Sequence, residues 1–196
     1  MFIETIAEGE AEGTLASWYA SQHHHWGFLP DFAGCFSSRP EVAHAWANLN
    51  LTIRGGMDRR RFELVTVAAA RALRSTYCTV AHAMFLRDAC GDAEAVEQLA
   101  LAPDGSTLSA EDATVWAFAT KVAQDAASIE QADVDAVRAA GLSDADVADI
   151  VLAVAARAFF TKVLDGLGAQ LDAPTAASFS PATLQAMTVG RPVGVV

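Results

Sequence analysis

The sequence predicts an all-α protein, a compact helical domain of about seven to nine helices. Three observations carry that expectation. Apolar residues recur at helical spacing, as in Val115, Phe118, Ala119 and Val122. Helix-start signatures are spaced along the chain, each a Ser with an acid three residues on, as in Ser109-Ala110-Glu111-Asp112 and Ser143-Asp144-Ala145-Asp146. No stretch alternates apolar and polar residues for long enough to suggest a strand. An apolar fraction of 53% and a mean hydropathy of +0.25 come mostly from alanine, valine and leucine, whose natural use is helix packing.

The elements follow in order. The first 35 residues are the least regular, and Trp26-Gly27-Phe28-Leu29-Pro30 reads as a turn with buried aromatics. Ser38 is an N-cap candidate, with Pro40 and Glu41 in the first turn. Asp58 opens a helical run through Arg74, Ser75 is the N-cap candidate of the next helix, and Cys90-Gly91 closes it. Gly141 and Gly166 stop the helices before them, and Ser180-Pro181 starts one more before the tail Gly190-Arg191-Pro192. Val147, Ile150, Val151, Val154 and Ala158 form a second apolar stripe, read as core. Without a polar linker or an internal repeat, residues 1–196 are expected to form a single domain. Its motif region spans 58–90 and its C-terminal helices 109–170.

Charge and hydropathy exclude several function classes. The net charge is −11, and the one basic cluster, Arg59-Arg60-Arg61, is flanked by Asp58 and Glu63. Nucleic acid is therefore not an expected partner, and the arginine run reads as a solvated helix start or a subunit contact. The longest apolar run, Ile150 to Phe160, is interrupted by Arg157 and falls short of the ~20 residues a membrane span needs. With no secretory leader in the acidic first residues, the expectation is a cytoplasmic protein without a membrane partner. Cys35, Cys78 and Cys90 are odd in number and scattered, unlike a disulfide framework. So apolar a chain would expose large patches as a monomer, which points to a homo-oligomer.

The chemistry concentrates between Glu63 and His82. Cys78 and His82 are four apart, on one face of a helix, and Glu63 lies in the helical run before it. A thiolate is the reactive form of cysteine, so groups that favour it mark a nucleophile. Ser75 as N-cap would put Cys78 at the third helical position, where free backbone N–H groups favour an anion. His82 could accept the thiol proton and Glu63 could orient His82, while the Tyr77 hydroxyl could position a water or bind substrate. These features predict a thiol of lowered pKa. The competing reading is a packed core pair, since cysteine is often a buried small hydrophobe.

Other constellations carry less. His23-His24-His25 lacks companion ligands, and Glu41-Val42-Ala43-His44 is one half of a di-iron pattern, so no metal is expected. There is no phosphate-binding or dinucleotide-binding glycine loop and no G-x-S-x-G elbow, and no cofactor is expected. Trp18, Trp26, Trp46 and Trp116 read as core or interface residues.

Glu63, eleven residues, Ser75-Thr76-Tyr77-Cys78, three residues and His82 resemble the alkylhydroperoxidases of the carboxymuconolactone decarboxylase superfamily. Their pattern is Glu, eleven residues, Cys-x-x-Cys, three residues, His. Gly27-Phe28-Leu29-Pro30, Arg39-Pro40-Glu41, Ala140-Gly141-Leu142-Ser143-Asp144 and Asp165-Gly166-Leu167-Gly168 are similar to the peroxidase-related branch, so the likeness runs over roughly residues 26 to 170. The resemblance implies an alkylhydroperoxidase-like fold, a trimer or hexamer, and a site near a subunit interface. It implies Cys78 as the nucleophile of a thiol-dependent peroxidase or related antioxidant reductase, with His82 and Glu63 as its proton relay and Ser75 in place of the second cysteine. The substrate is then a hydroperoxide. Ser75 leaves two other readings open: a decarboxylase or isomerase on a small lactone or carboxylate, using His82 and Glu63, and a non-catalytic oligomeric binding protein.

Overall fold

One helix with almost no solvent-facing side organises the chain: every residue from Phe62 to Ala70 is buried. A computed structural model describes residues 1–194. Among them lie eleven α-helices and no strand: α1 (Gly13–Trp26), α2 (Asp31–Gly34), α3 (Pro40–Gly56), α4 (Arg59–Ala72), α5 (Thr76–Asp88), α6 (Ala93–Leu101), α7 (Ala110–Asp125), α8 (Gln131–Ala139), α9 (Asp144–Leu167), α10 (Ala173–Ala177) and α11 (Pro181–Met187). Nine of them have seven residues or more, so the all-α expectation holds. None of the described helices is long and apolar enough to cross a membrane.

The buried helix is α4, and α5, α7 and α9 pack around it. Its start is fixed by Asp58, whose carboxylate accepts a hydrogen bond from the Arg61 N–H at 2.9 Å. The arginine run that follows is neither a solvated start nor a free patch. Arg60 donates to Asp92 at 2.6 Å and, with both terminal nitrogens, to Asp112 at 2.9 and 2.8 Å. Arg61 donates to Asp146 at 2.6 Å. Asp92 caps α6, and Asp112 and Asp146 sit in the first turns of α7 and α9. Each acid serves its own helix start and also ties that start to α4, and the Arg60–Asp112 pair is bidentate, which arginine suits better than lysine.

Two apolar clusters share α5. Val80, Ala83 and Leu86 join the larger one, with α4, α6, α7 and the first half of α9. Tyr77, Cys78 and Ala81 face the smaller one, built with α1, α2, α3 and Phe160 of α9. The chain reverses between α4 and α5 at Arg74, which has a φ of 60° and is the one non-glycine residue with positive φ among the described residues. This reversal lays Glu63 of α4 against the face of α5 that carries Cys78 and His82.

Several boundaries differ from expectation. The irregular N-terminal stretch contains α1, a full helix whose apolar residues Leu15, Trp18 and Tyr19 are buried and which ends at Gly27 in the left-handed region. Arg39, not Ser38, holds the N-cap position of α3, without a side-chain cap. Helix α9 runs through Gly166 and ends at Gly168, where φ is +82°. Val151 of the second stripe is 38% exposed rather than core.

Candidate active site

Glu63, Cys78, His82 and Arg157 meet where α4, α5 and α9 pack together. Glu63 is 1% exposed, and a carboxylate so buried needs matched partners to stay charged. It has them on both oxygens. Arg59, one turn before it, reaches Oε1 at 2.7 Å, and His82 Nδ1 reaches Oε2 at 2.5 Å. A carboxylate only accepts, so Nδ1 carries the proton and Nε2 is left as a base. Burial alone would raise the Glu63 pKa, but the attraction of His82, Arg59 and Arg157 outweighs it and holds the group below the usual carboxylate value. For His82 the balance runs the other way: burial, then the Arg157 charge, bring its pKa down to about 4 against the pull of Glu63. The pair at neutral pH is therefore a carboxylate with a neutral imidazole.

Cys78 sits at the third position of α5, as expected, but its surroundings are not those the sequence suggested. Among the described residues no hydrogen bond joins it to His82; the donor to its Sγ is Nη1 of Arg157, at 3.6 Å. Burial pushes the thiol above its ordinary pKa, and the charge of Arg157 only partly pulls it back. The expectation of a lowered pKa is thus corrected: at rest Cys78 is a thiol, shielded from water, beside a permanent positive charge. Arg157 was missed as a site residue. Its signal was present, a lone arginine interrupting the longest apolar run, and a charge in the buried centre of a helix needs a reason.

The supporting residues divide. Ser75 is fully buried at the N-cap position of α5 yet makes no cap bond; its Oγ lies beside the thiol without a hydrogen-bond partner. Tyr77 does not present a free hydroxyl for a water or a substrate. It donates to Asp172 Oδ2, while Asp172 Oδ1 accepts from the Asp31 N–H at 2.8 Å. Tyr77 thereby anchors the segment after α9, and only its ring is available to the site. Cys35 and Cys90 are free. Cys35 packs on Met1 Sδ at 3.5 Å, and burial pushes its thiol up to about 12. Cys78 has no partner thiol among the described residues.

Glu63, Tyr77, Cys78, His82 and Arg157 line one cavity of about 420 Å³. Trp18, Trp26, Phe32, Trp46, Phe85 and Phe160 form its walls. Trp46 and Phe160 stack at 3.9 Å between ring centroids. Of the histidine run, His25 lines this cavity, while His23 pairs with Glu8 at 2.8 Å. Among the described residues no three His, Cys, Asp or Glu side chains converge as a metal site would require.

Residues 40–104 match the model of the carboxymuconolactone decarboxylase family. An uncharacterized peroxidase-related protein from Ralstonia eutropha JMP134, with an alkylhydroperoxidase AhpD core, superposes with a TM-score of 0.79 at 20% identity, over 89% of this chain and 93% of its own. An uncharacterized peroxidase-related protein from Silicibacter sp. TM1040 gives a TM-score of 0.74 at 20% identity, over 87% and 93%. A variant of the debrominase Bmp8, in complex with 2,3,4-tribromopyrrole, gives 0.74 at 15% identity, over 95% and 97%. No curated protein matches the chain. At these identities the structural likeness is one of fold, and it is the fold that the Glu63-to-His82 pattern implied.

The depressed His82 pKa has a consequence for stability. On acidification the unfolded chain takes up a proton at His82 near ~6.5, while the folded chain resists until about 4. Stability should therefore fall as pH drops through that window and stop falling on this account below it. Glu63, held below the unfolded carboxylate value, adds its own loss only at lower pH. His82→Gln should flatten the profile between those limits, measured by urea unfolding, and NMR should place the imidazole midpoint near 4. An imidazole that titrates above the unfolded value would contradict the neutral resting state.

Proposed function

We propose that this chain, alkylhydroperoxidase-like in fold and of the carboxymuconolactone decarboxylase superfamily, is a one-cysteine thiol peroxidase or related antioxidant reductase. The observation that carries the reading is a buried thiol with a guanidinium 3.6 Å from its sulfur, on the same cavity as a neutral imidazole whose Nε2 has no hydrogen-bond partner among the described residues. Cys78 is the nucleophile. As its sulfur attacks the terminal oxygen of a hydroperoxide, the thiol proton passes to His82 Nε2 and Arg157 faces the negative charge on sulfur. The O–O bond breaks and His82 returns the proton to the departing alkoxide, so thiol and hydroperoxide become sulfenic acid and alcohol. Glu63 holds the imidazole and its tautomer throughout. Ser75 cannot supply a second sulfur. Two equivalents of an external thiol then return Cys78 to its thiol form, releasing a disulfide and water.

A second reading follows from the completeness of the Glu63–His82 pair, which needs no thiol to act as a base. That pair suits a decarboxylase or isomerase acting on a small lactone or carboxylate. Steady-state reduction of cumene hydroperoxide with excess dithiothreitol separates the readings. Cys78→Ala should abolish turnover, and His82→Gln and Glu63→Gln should each lower it by about a hundredfold. Undiminished turnover in Cys78→Ala would rule out the thiol mechanism. Lactone or carboxylate conversion that survives in that variant would favour the second reading.

The proposed assembly is a homo-oligomer, a trimer or hexamer. Leu49 and Leu51 of α3 and Leu152 and Phe159 of α9 are 52, 51, 50 and 42% exposed on two helices that pack on each other, a surface that suits a subunit contact. The free cysteines suit a reducing, cytoplasmic setting. Light scattering should give a multiple of the 20.6 kDa chain mass, and a monomer at micromolar concentration would contradict the assembly.

A further inference from the structure

The cavity carries more positive charge than the chemistry above uses. Among the described residues three guanidinium groups line it, those of Arg54, Arg59 and Arg157, and the one lining carboxylate is Glu63. Two positive charges are left uncompensated, in a chain whose net charge is −11. The three arginines are not equivalent. Arg59 is committed to Glu63 at 2.7 Å. Arg157 is 2% exposed, gives Nη1 to the Cys78 sulfur, lies over the Trp46 and Phe160 rings, and leaves its buried Nε without a partner. Arg54, in the last turn of α3, has no ion pair and no side-chain hydrogen bond among the described residues. Its positive surroundings extend to His25, whose protonated form is disfavoured by burial and then by the Arg54 and Arg59 charges. A buried or half-buried cation held without a counter-ion is costly, and the cavity that contains it is the place where an anion would be received. The walls say what the rest of that ligand is like. Trp46 and Phe160 stack at an interplanar angle of 14°, and Trp26 lies 5.2 Å from Phe85, so a flat apolar body finds aromatic faces and edges.

We infer that the cavity takes an organic anion with a flat apolar body, its acidic head received by Arg54 and its body held among Trp26, Trp46, Phe85 and Phe160. Resting on the peroxidase reading, this makes the substrate an organic hydroperoxide that carries a carboxylate, in preference to a neutral one. The arginine beside the reacting sulfur reinforces the attraction, and the acidic surface outside keeps anions from binding elsewhere on the chain.

Two measurements separate this inference from the chemistry it rests on. Calorimetric titration with benzoate and with benzamide, which share shape and differ in charge, should show benzoate binding about tenfold tighter. Arg54→Gln should reduce benzoate affinity about tenfold and leave benzamide unchanged, and Arg39→Gln, at an exposed arginine outside the cavity, should alter neither. Because Arg54 is only half-buried, its variant is expected to fold as the native chain does. Equal affinity for the two probes, or a benzoate affinity unmoved by Arg54→Gln, overturns the inference. In turnover, ring-carboxylated cumene hydroperoxide should exceed cumene hydroperoxide in kcat/KM, with the advantage lying in KM and lost in Arg54→Gln. If neither hydroperoxide is reduced while benzoate still binds through Arg54, the peroxidase reading fails and the anion site stands.

Discussion

A charge at the centre of a helical domain has to be answered on every side, and Glu63 is such a charge. It is 1% exposed, on the face of α4 that meets α5, and its two oxygens are taken by Arg59 and His82. Removing one partner of a buried pair strands the other, so these three groups hold one another in place more strictly than apolar packing would. Their placement constrains the elements that bear them. Helix α4 must start at Asp58 for Arg59 to face Glu63, and the chain must reverse at Arg74 for α5 to bring His82 back to it. Arg60 and Arg61 fix the starts of α6, α7 and α9 to the same helix. The other buried charge of the site, Arg157, is carried in by α9, which the last of those clamps positions.

The same electrostatics set the protonation states from which any reaction starts. Burial and Arg157 keep the His82 imidazole neutral, and Glu63 fixes its proton on Nδ1. Burial also keeps Cys78 a thiol. A resting site with a protonated sulfur and an unprotonated base differs from one with a preformed ion pair. In the proposed reaction the proton moves only once a substrate enters the cavity, and burial limits the access of other oxidants to the thiol until then.

Much of this was legible in the sequence because it depends on local spacing. Asp58, Ser109, Ser143 and Ser180 each accept the backbone N–H three residues on, as their positions imply. The spacing from Glu63 to His82 anticipated the contact between them. What could not be read is what depends on distant partners. The pKa of Cys78 follows from how completely α9 and the N-terminal helices cover it, and helix position alone argues the opposite sign. Tyr77 is claimed by Asp172, ninety-five positions away. The arginine run reads as surface until the caps it ties are seen in space. Gly166 reads as a stop, yet the backbone at the end of α9 turns left-handed at Gly168 and the helix runs on to it. Arg157 was visible as an anomaly in an apolar run, but only the fold gives it the Cys78 sulfur to face.

The account turns on Cys78 being the atom that meets the oxidant, with His82 as its base. The direct measurement is to give the full-length protein one equivalent of cumene hydroperoxide without reductant, trap sulfenic acid with dimedone, and map the adduct by mass spectrometry. The account predicts a single adduct, at Cys78, whose rate of formation drops in His82→Gln while Cys35 and Cys90 stay unmodified. An adduct confined to Cys90, or a Cys78 that stays a free thiol with the hydroperoxide unconsumed, would contradict it.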